Sequence, residues 1–229
     1  MPEGRDCLIK INQRIGERFV EGIFITMEGP DGAGKTTQID LLKKYLESKG
    51  YDIVIAREPG GTVIGEAIRE IILNRDYQEM SHMTELLLYA SARAQLVNQV
   101  IRPALLEGKA VICDRFVESS AVYQGIGRGL GVETVYEVNS YALGDVSPKL
   151  TIFMDLDAEA GLKRKRHQAE LDRMELEDLT FHKRVVEGYR QLAQLYPERI
   201  FPVDATLPIE EIHSMIVHEV EKRFFESEN

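Results

Sequence analysis

The sequence predicts an α/β protein: a doubly wound, parallel five-stranded sheet flanked by helices. Three observations lead there. Short apolar runs of strand length recur at Ile23–Met27, Ile53–Ala56, Ala110–Cys113, Leu150–Leu156 and Ile200–Val203. Longer stretches of helical period separate them, and strands that alternate with helices pair in parallel, each crossover laying a helix back over the sheet. A glycine-rich loop, Gly29-Pro30-Asp31-Gly32-Ala33-Gly34-Lys35-Thr36, joins the first run to the first helical stretch.

In chain order, residues 1–21 are polar and mixed in charge, with a weak apolar pattern at Leu8, Ile9, Ile11 and Ile15, and read as an accessory N-terminal segment. Residues 22–229 then have the length of one domain. After the glycine-rich loop, Ile39, Leu42 and Leu46 share a helical face and Gly50 is placed to end that helix. A second helix is expected over Val63–Leu73. Ser81 can cap a third, which carries Leu86, Leu87, Tyr89, Ala90 and Arg93 before Pro103 and Gly108 close the region. Residues 161–175 hold the dense basic cluster of the chain, and a further helix is expected over Leu179–Leu195.

Composition narrows the function classes. The chain has 229 residues, 44% of them hydrophobic, and a net charge of −10. An acidic surface repels a polyanion, so no nucleic-acid partner is expected. No stretch reaches the ~18 consecutive apolar residues of a membrane span, so no membrane partner is expected either. Cys7 and Cys113 make no disulfide framework, and the five histidines form no metal-ligand constellation. A cytoplasmic setting fits.

The glycine-rich loop carries the donor chemistry. Gly29, Gly34, Lys35 and Thr36 occupy the positions of the Walker A pattern, and the strand before and helix after supply the context that pattern needs, which makes the fold P-loop NTPase-type. Glycines let backbone N–H groups converge on phosphate oxygens at a helix start. The whole loop, Gly29, Pro30, Asp31, Gly32, Ala33, Gly34, Lys35, Thr36 and Thr37, is the expected ATP site. Lys35 should reach the β- and γ-phosphates, and Thr36 should ligate Mg²⁺.

Such a loop serves kinases, switches and motors alike, so the acceptor must be read elsewhere. Arg57-Glu58-Pro59-Gly60-Gly61-Thr62, Tyr89 to Arg93, and Asp114-Arg115-Phe116 follow strands or lie on a helix that the sheet brings towards the loop. Arg57 and Arg115 suit forked hydrogen bonding to a phosphate monoester, or a structural ion pair. Asp114 fits a carboxylate that touches Mg²⁺ through water.

With these residues in view, the chain resembles thymidylate kinases, from about Gly22 to Phe224. The likeness rests on the phosphate loop, Arg57 to Thr62, Leu87 to Arg93, Asp114-Arg115-Phe116-Val117-Glu118-Ser119-Ser120-Ala121-Val122-Tyr123-Gln124, Gly144-Asp145, Pro148-Lys149-Leu150-Thr151 and Val203-Asp204-Ala205. The resemblance implies transfer of the ATP γ-phosphoryl group to dTMP, giving dTDP, and a homodimer. It puts Asp31 on the 3′-hydroxyl of dTMP and Arg57 and Arg115 on its phosphate. Tyr89 would lie under the thymine ring and Arg93 at a thymine carbonyl, with Ser119 and Gln124 lining the base site and Tyr123 beside the deoxyribose. Plainer roles stay open: Tyr89 also suits a core position, and Ser119 and Gln124 suit helix caps.

The basic cluster Lys163, Arg164, Lys165, Arg166 and Arg173 reads as a solvated helix face by composition alone. The resemblance instead implies a mobile lid over ATP at about residues 161–175, which in some members supplies the catalytic arginine. Members with that arginine in the phosphate loop carry it where this chain has Gly32. Arg164 and Arg166 are therefore the leading candidates here, with Arg173 third. Gln168 stands where some lid-arginine members have another arginine. Other deoxynucleotides as acceptor, or slow NTP hydrolysis by a switch, are the competing readings.

Overall fold

A computed structural model of the protein describes residues 22–166 and 172–226, with the backbone alone at residues 165 and 166. The accessory segment 1–21, Gln168 and the side chain of Arg166 lie outside the described residues, as does part of the 161–175 lid.

The five apolar runs are the five strands: β1 Ile23–Glu28, β2 Ile53–Arg57, β3 Ala110–Asp114, β4 Leu150–Asp155 and β5 Ile200–Asp204. All pair in parallel, in the order β2-β3-β1-β4-β5. Four of them run one residue past the apolar signal and end on Glu28, Arg57, Asp114 and Asp204, because the ladder continues to the polar residue that opens each loop. Register then stacks those ends: Met27 and Arg57 both pair with Asp114, and Asp155 pairs with Asp204. Ligand loops gather where the carboxyl ends of parallel strands line up, and here they do so around central β1.

Both faces of β1, β3 and β4 are buried, as near-continuous apolar runs require. One face packs on α1, Lys35–Ser48, and on the C-terminal helix α9, Ile209–Phe224, through Leu42, Leu46, Ile216 and Val220. Helix α2, Val63–Leu73, packs on α3, His82–Leu96, which runs on through a π-helical stretch, Val97–Ile101, into α4, Arg102–Leu106. Ser81 caps α3 as expected, accepting from the Thr84 N–H. The short α5, Val117–Ser120, opens into a second π-helical stretch, Ala121–Gly127, before α6, Val132–Leu143. Neither π stretch is legible as period. Helix α7, Ala158–Arg166, enters the stretch expected to form the lid, and α8 spans Leu179–Leu195. No helix among the described residues is long and apolar enough to cross a membrane.

Candidate active site

The loop between β1 and α1 wraps the Lys35 ammonium, which donates to the carbonyls of Gly29 and Pro30, each at 3.0 Å. Burial, with Arg115 nearby, pulls its pKa down to about 8. Gly32, at φ +77, lies in the left-handed region, and a Cβ built there would stand 2.5 Å from the Gly161 carbonyl oxygen of α7. The contact is reciprocal: a Cβ on Gly161 would stand 2.5 Å from the Asp31 carbonyl oxygen. Two bare backbones thus let α7 rest on the phosphate loop, and Arg164, one turn on, donates to the Gly32 carbonyl at 3.2 Å. The room that a side chain at position 32 would need is filled by α7.

Above the sheet end lies a cavity of about 410 Å³. Asp31, Gly32, Gly34, Lys35, Thr36 and Thr37 line it from the loop; Arg57, Tyr89, Asp114, Arg115, Ser119, Tyr123 and Gln124 line it from the other expected segments. Of the remaining loop residues, Gly29, Pro30 and Ala33 are buried and stand back from the cavity.

Arg115 sits at φ +68 directly after β3 and donates to Asp31 Oδ1 at 2.9 Å and Ser119 Oγ at 3.3 Å, with its guanidinium over the Tyr123 ring. Asp114 Oδ1 is buried without a hydrogen-bond partner. An orphaned carboxylate oxygen on the cavity that Thr36 also lines is the feature that a hard cation would satisfy, so the residues fit Mg²⁺. Arg57 grips both Glu66 oxygens at 2.7 and 2.8 Å, half exposed at the rim.

Ser119 and Gln124 are not helix caps. Ser119 Oγ donates to Glu28 Oε2 at 2.6 Å, and Gln124 Nε2 donates to Glu85 Oε1 at 2.9 Å. Tyr89 is half buried on the cavity wall, and burial with the Glu85 and Asp172 carboxylates holds its phenol protonated.

Arg93 departs from expectation. It is 1% exposed and lies behind the wall, not on it. Its Nε donates to both Glu58 oxygens, at 2.8 and 3.1 Å, and its remaining donors meet Asn139, Ser120 and the Phe116 carbonyl. A buried guanidinium must be paired, and Glu58 outcompetes an open cavity for it. Arg93 thus braces the wall through Glu58. Arg173 is buried likewise, donating to the Ile72 carbonyl at 2.7 Å and pairing with Glu85 at 2.7 Å. Its neighbours Asp172, Met174 and Glu175 reach the cavity instead.

Several site residues escaped the sequence reading. Arg69 lines the cavity from α2, donating to the Pro59 carbonyl at 2.9 Å; a lone basic residue on an apolar helix next to the Arg57 loop was the available signal. Glu28, Glu85 and Tyr189 support the walls from within, and nothing local marks them.

Comparison with known proteins gives this arrangement its place. The family model described as thymidylate kinase matches residues 27–216. The chain is 48% identical over 206 residues to the thymidylate kinase of Geobacillus thermodenitrificans (strain NG80-2), covering 89% of this chain and 92% of that one. It is 50% identical over 199 residues to that of Exiguobacterium sibiricum, with 87% and 94% covered. A crystal structure of thymidylate kinase from Ehrlichia chaffeensis superposes with a TM-score of 0.70 at 31% identity, covering 87% of this chain and 98% of that chain. With a Walker A loop on one side of the cavity and Arg115 on the other, paired across it with the loop's Asp31, the chain belongs to the thymidylate kinase family.

Proposed function

We propose that the protein phosphorylates dTMP to dTDP, passing the γ-phosphoryl group of ATP in line to the dTMP phosphate. One observation carries the reading at the level of the site: a single cavity is lined by Asp31, Lys35 and Thr36 from the phosphate loop and by Arg115, Tyr89, Ser119 and Gln124 from the other segments. Both substrates then meet over the carboxyl end of β1.

The loop from Gly29 to Thr37 holds the ATP phosphates and Lys35 follows the β- and γ-oxygens. Thr36, and Asp114 through water, would hold Mg²⁺, which would offset charge on those phosphates. Arg115 and Arg57 hold the acceptor phosphate, with Arg57 exchanging Glu66 for it. Asp31 accepts from the 3′-hydroxyl. Tyr89 supports the thymine ring, Ser119 and Gln124 face the base, and Tyr123 borders the deoxyribose and disfavours a 2′-hydroxyl. Arg93 acts from behind through Glu58, which lines the cavity. Because the acceptor phosphate is ionised near neutral pH, positioning and charge stabilisation do the work, and no strong general base is needed. The lid arginines, Arg164 first and Arg166 beside it, supply charge at the transferred group, a contribution of about 10³ to 10⁵ in rate. Lid closure also excludes water as a competing acceptor.

Residues 22–229 act as one domain. Two copies pair through α2 and α3, where Val63, 87% exposed, Ile64, Ile71, Met83 and Leu87 present apolar surface. A reducing cytoplasm suits the free thiol of Cys113. The test is a Mg²⁺-ATP assay with dTMP, dUMP, dCMP and dGMP that detects diphosphate product. The reading expects ADP formation dependent on dTMP; no dTDP, or phosphate release without an acceptor, would refute it. Leu87→Glu should convert the dimer to monomer in light scattering.

A further inference from the structure

Glu28 closes β1 one residue before the phosphate loop, is 0% exposed, and does not line the cavity. A carboxylate so placed must find a partner for each oxygen. Its Oε1 accepts from the Phe116 N–H at 2.7 Å and the Ser119 N–H at 3.3 Å; its Oε2 accepts from Ser119 Oγ at 2.6 Å and the Tyr189 hydroxyl at 2.8 Å. Three of those four donors belong to Phe116 and Ser119, in and just beyond the turn after β3. That turn holds Arg115 in the left-handed region, a conformation that costs any residue with a Cβ. The Arg115 N–H itself donates to the Met27 carbonyl at 3.0 Å. Met27 and Glu28 therefore take the two successive amides that bracket the strained peptide, and the guanidinium emerges aimed at Asp31 and Ser119.

We infer that Glu28 is a positioning residue for the acceptor nucleotide: it sets Arg115 and Ser119 in the geometry that receives dTMP, without touching either substrate. The inference rests on the reading of Arg115 and Ser119 as acceptor-side residues. Burial, with the Glu118 carboxylate, pushes the Glu28 acid up to about 7, while Ser119, Arg115 and Tyr189 pull it back. Lys35 on the loop side, Cys113 on β3 and Tyr123 on the π-helical stretch are further titratable groups that face it. An apolar residue of similar size would be the cheaper occupant, and departures of this kind mark functional positions.

Glu28→Ala removes every acceptor, whereas Glu28→Gln keeps a carbonyl for the two amides and loses the charged oxygen. Steady-state kinetics should show KM for dTMP raised about tenfold or more in Glu28→Ala and about threefold in Glu28→Gln, with KM for Mg²⁺-ATP within about twofold in both. The partial rescue by glutamine and the split between the two substrates are what mere structural damage would not produce. Unchanged KM for dTMP, or equal rises for both substrates, overturns the proposal. If Glu28→Ala does not fold, the glutamine variant decides by the same two criteria. Arg115→Lys separates the layers: if it leaves KM for dTMP unchanged, the acceptor reading of Arg115 has failed; if it raises KM while the Glu28 variants do not, only the positioning role has.

Discussion

Adding one methyl group at Gly161 should disable phosphoryl transfer while leaving the fold intact. Gly161 lies in α7 where the helix rests on the phosphate loop, and its new Cβ would stand 2.5 Å from the Asp31 carbonyl oxygen. A carbon–oxygen contact relaxes at about 3.3 Å, so helix and loop must part by about 0.8 Å. The oxygen is backbone and the Cβ is fixed rigidly to backbone, so no side chain can rotate away to absorb the shift. Arg164 is three residues further along the same face and reaches the Gly32 carbonyl at 3.2 Å, so its guanidinium withdraws with the helix. Displacement of order 1 Å at a reacting centre costs about 10²-fold, or roughly 2.7 kcal/mol of barrier. The substitution is otherwise favourable, because alanine is a better helix former than glycine by about 1 kcal/mol. Initial rates of dTMP-dependent ADP formation should therefore show kcat down about a hundredfold, with KM for dTMP within about twofold and thermal stability retained. Arg164→Ala should be comparably slow, and the double variant no slower than either single one, since both remove the same charge. A Gly161→Ala enzyme with kcat within about threefold of the parent would refute the reasoning.

Three further outcomes are expected. Lys35 has a pKa of about 8 before nucleotide binds, so Mg²⁺-ATP affinity should fall by up to about tenfold per pH unit above that value, while Lys35→Arg should show no such slope by calorimetry between about pH 7 and 9.5. Arg93→Leu leaves the Glu58 carboxylate buried without its cation and should cost about 3–5 kcal/mol in urea unfolding, with part of the loss restored by adding Glu58→Leu. Glu28 holds its proton more tightly folded than unfolded, so the stability it contributes is complete below its ordinary 4.5 and is lost as pH rises through about 7. Against Glu28→Gln, which does not titrate, the parent should lose about 3 kcal/mol across that window; a constant difference in unfolding free energy would refute the assignment.

What the sequence determined by itself was everything carried by short, contiguous signals. Strand runs, the phosphate loop between β1 and α1, the Ser81 cap and the segments that gather at the sheet end all follow from local period, glycine placement and residue type, which the chain expresses within a few residues. Parallel pairing then follows from alternation, because a crossover helix permits little else. Tertiary structure alone decided which charges meet. Arg57 finds Glu66 nine residues away, but Arg93 finds Glu58 at a separation of 35, and Ser119 finds Glu28 at 91. An arginine in a motif looks the same from the sequence whether it faces a cavity or a buried acid. Only desolvation in the folded core, which forces each buried charge onto a partner, separates Arg115 at the site from Arg93 behind it. The same holds for Gly32: its missing side chain was visible at once, but that the space belongs to Gly161, more than a hundred residues on, is a fact of two backbones in contact.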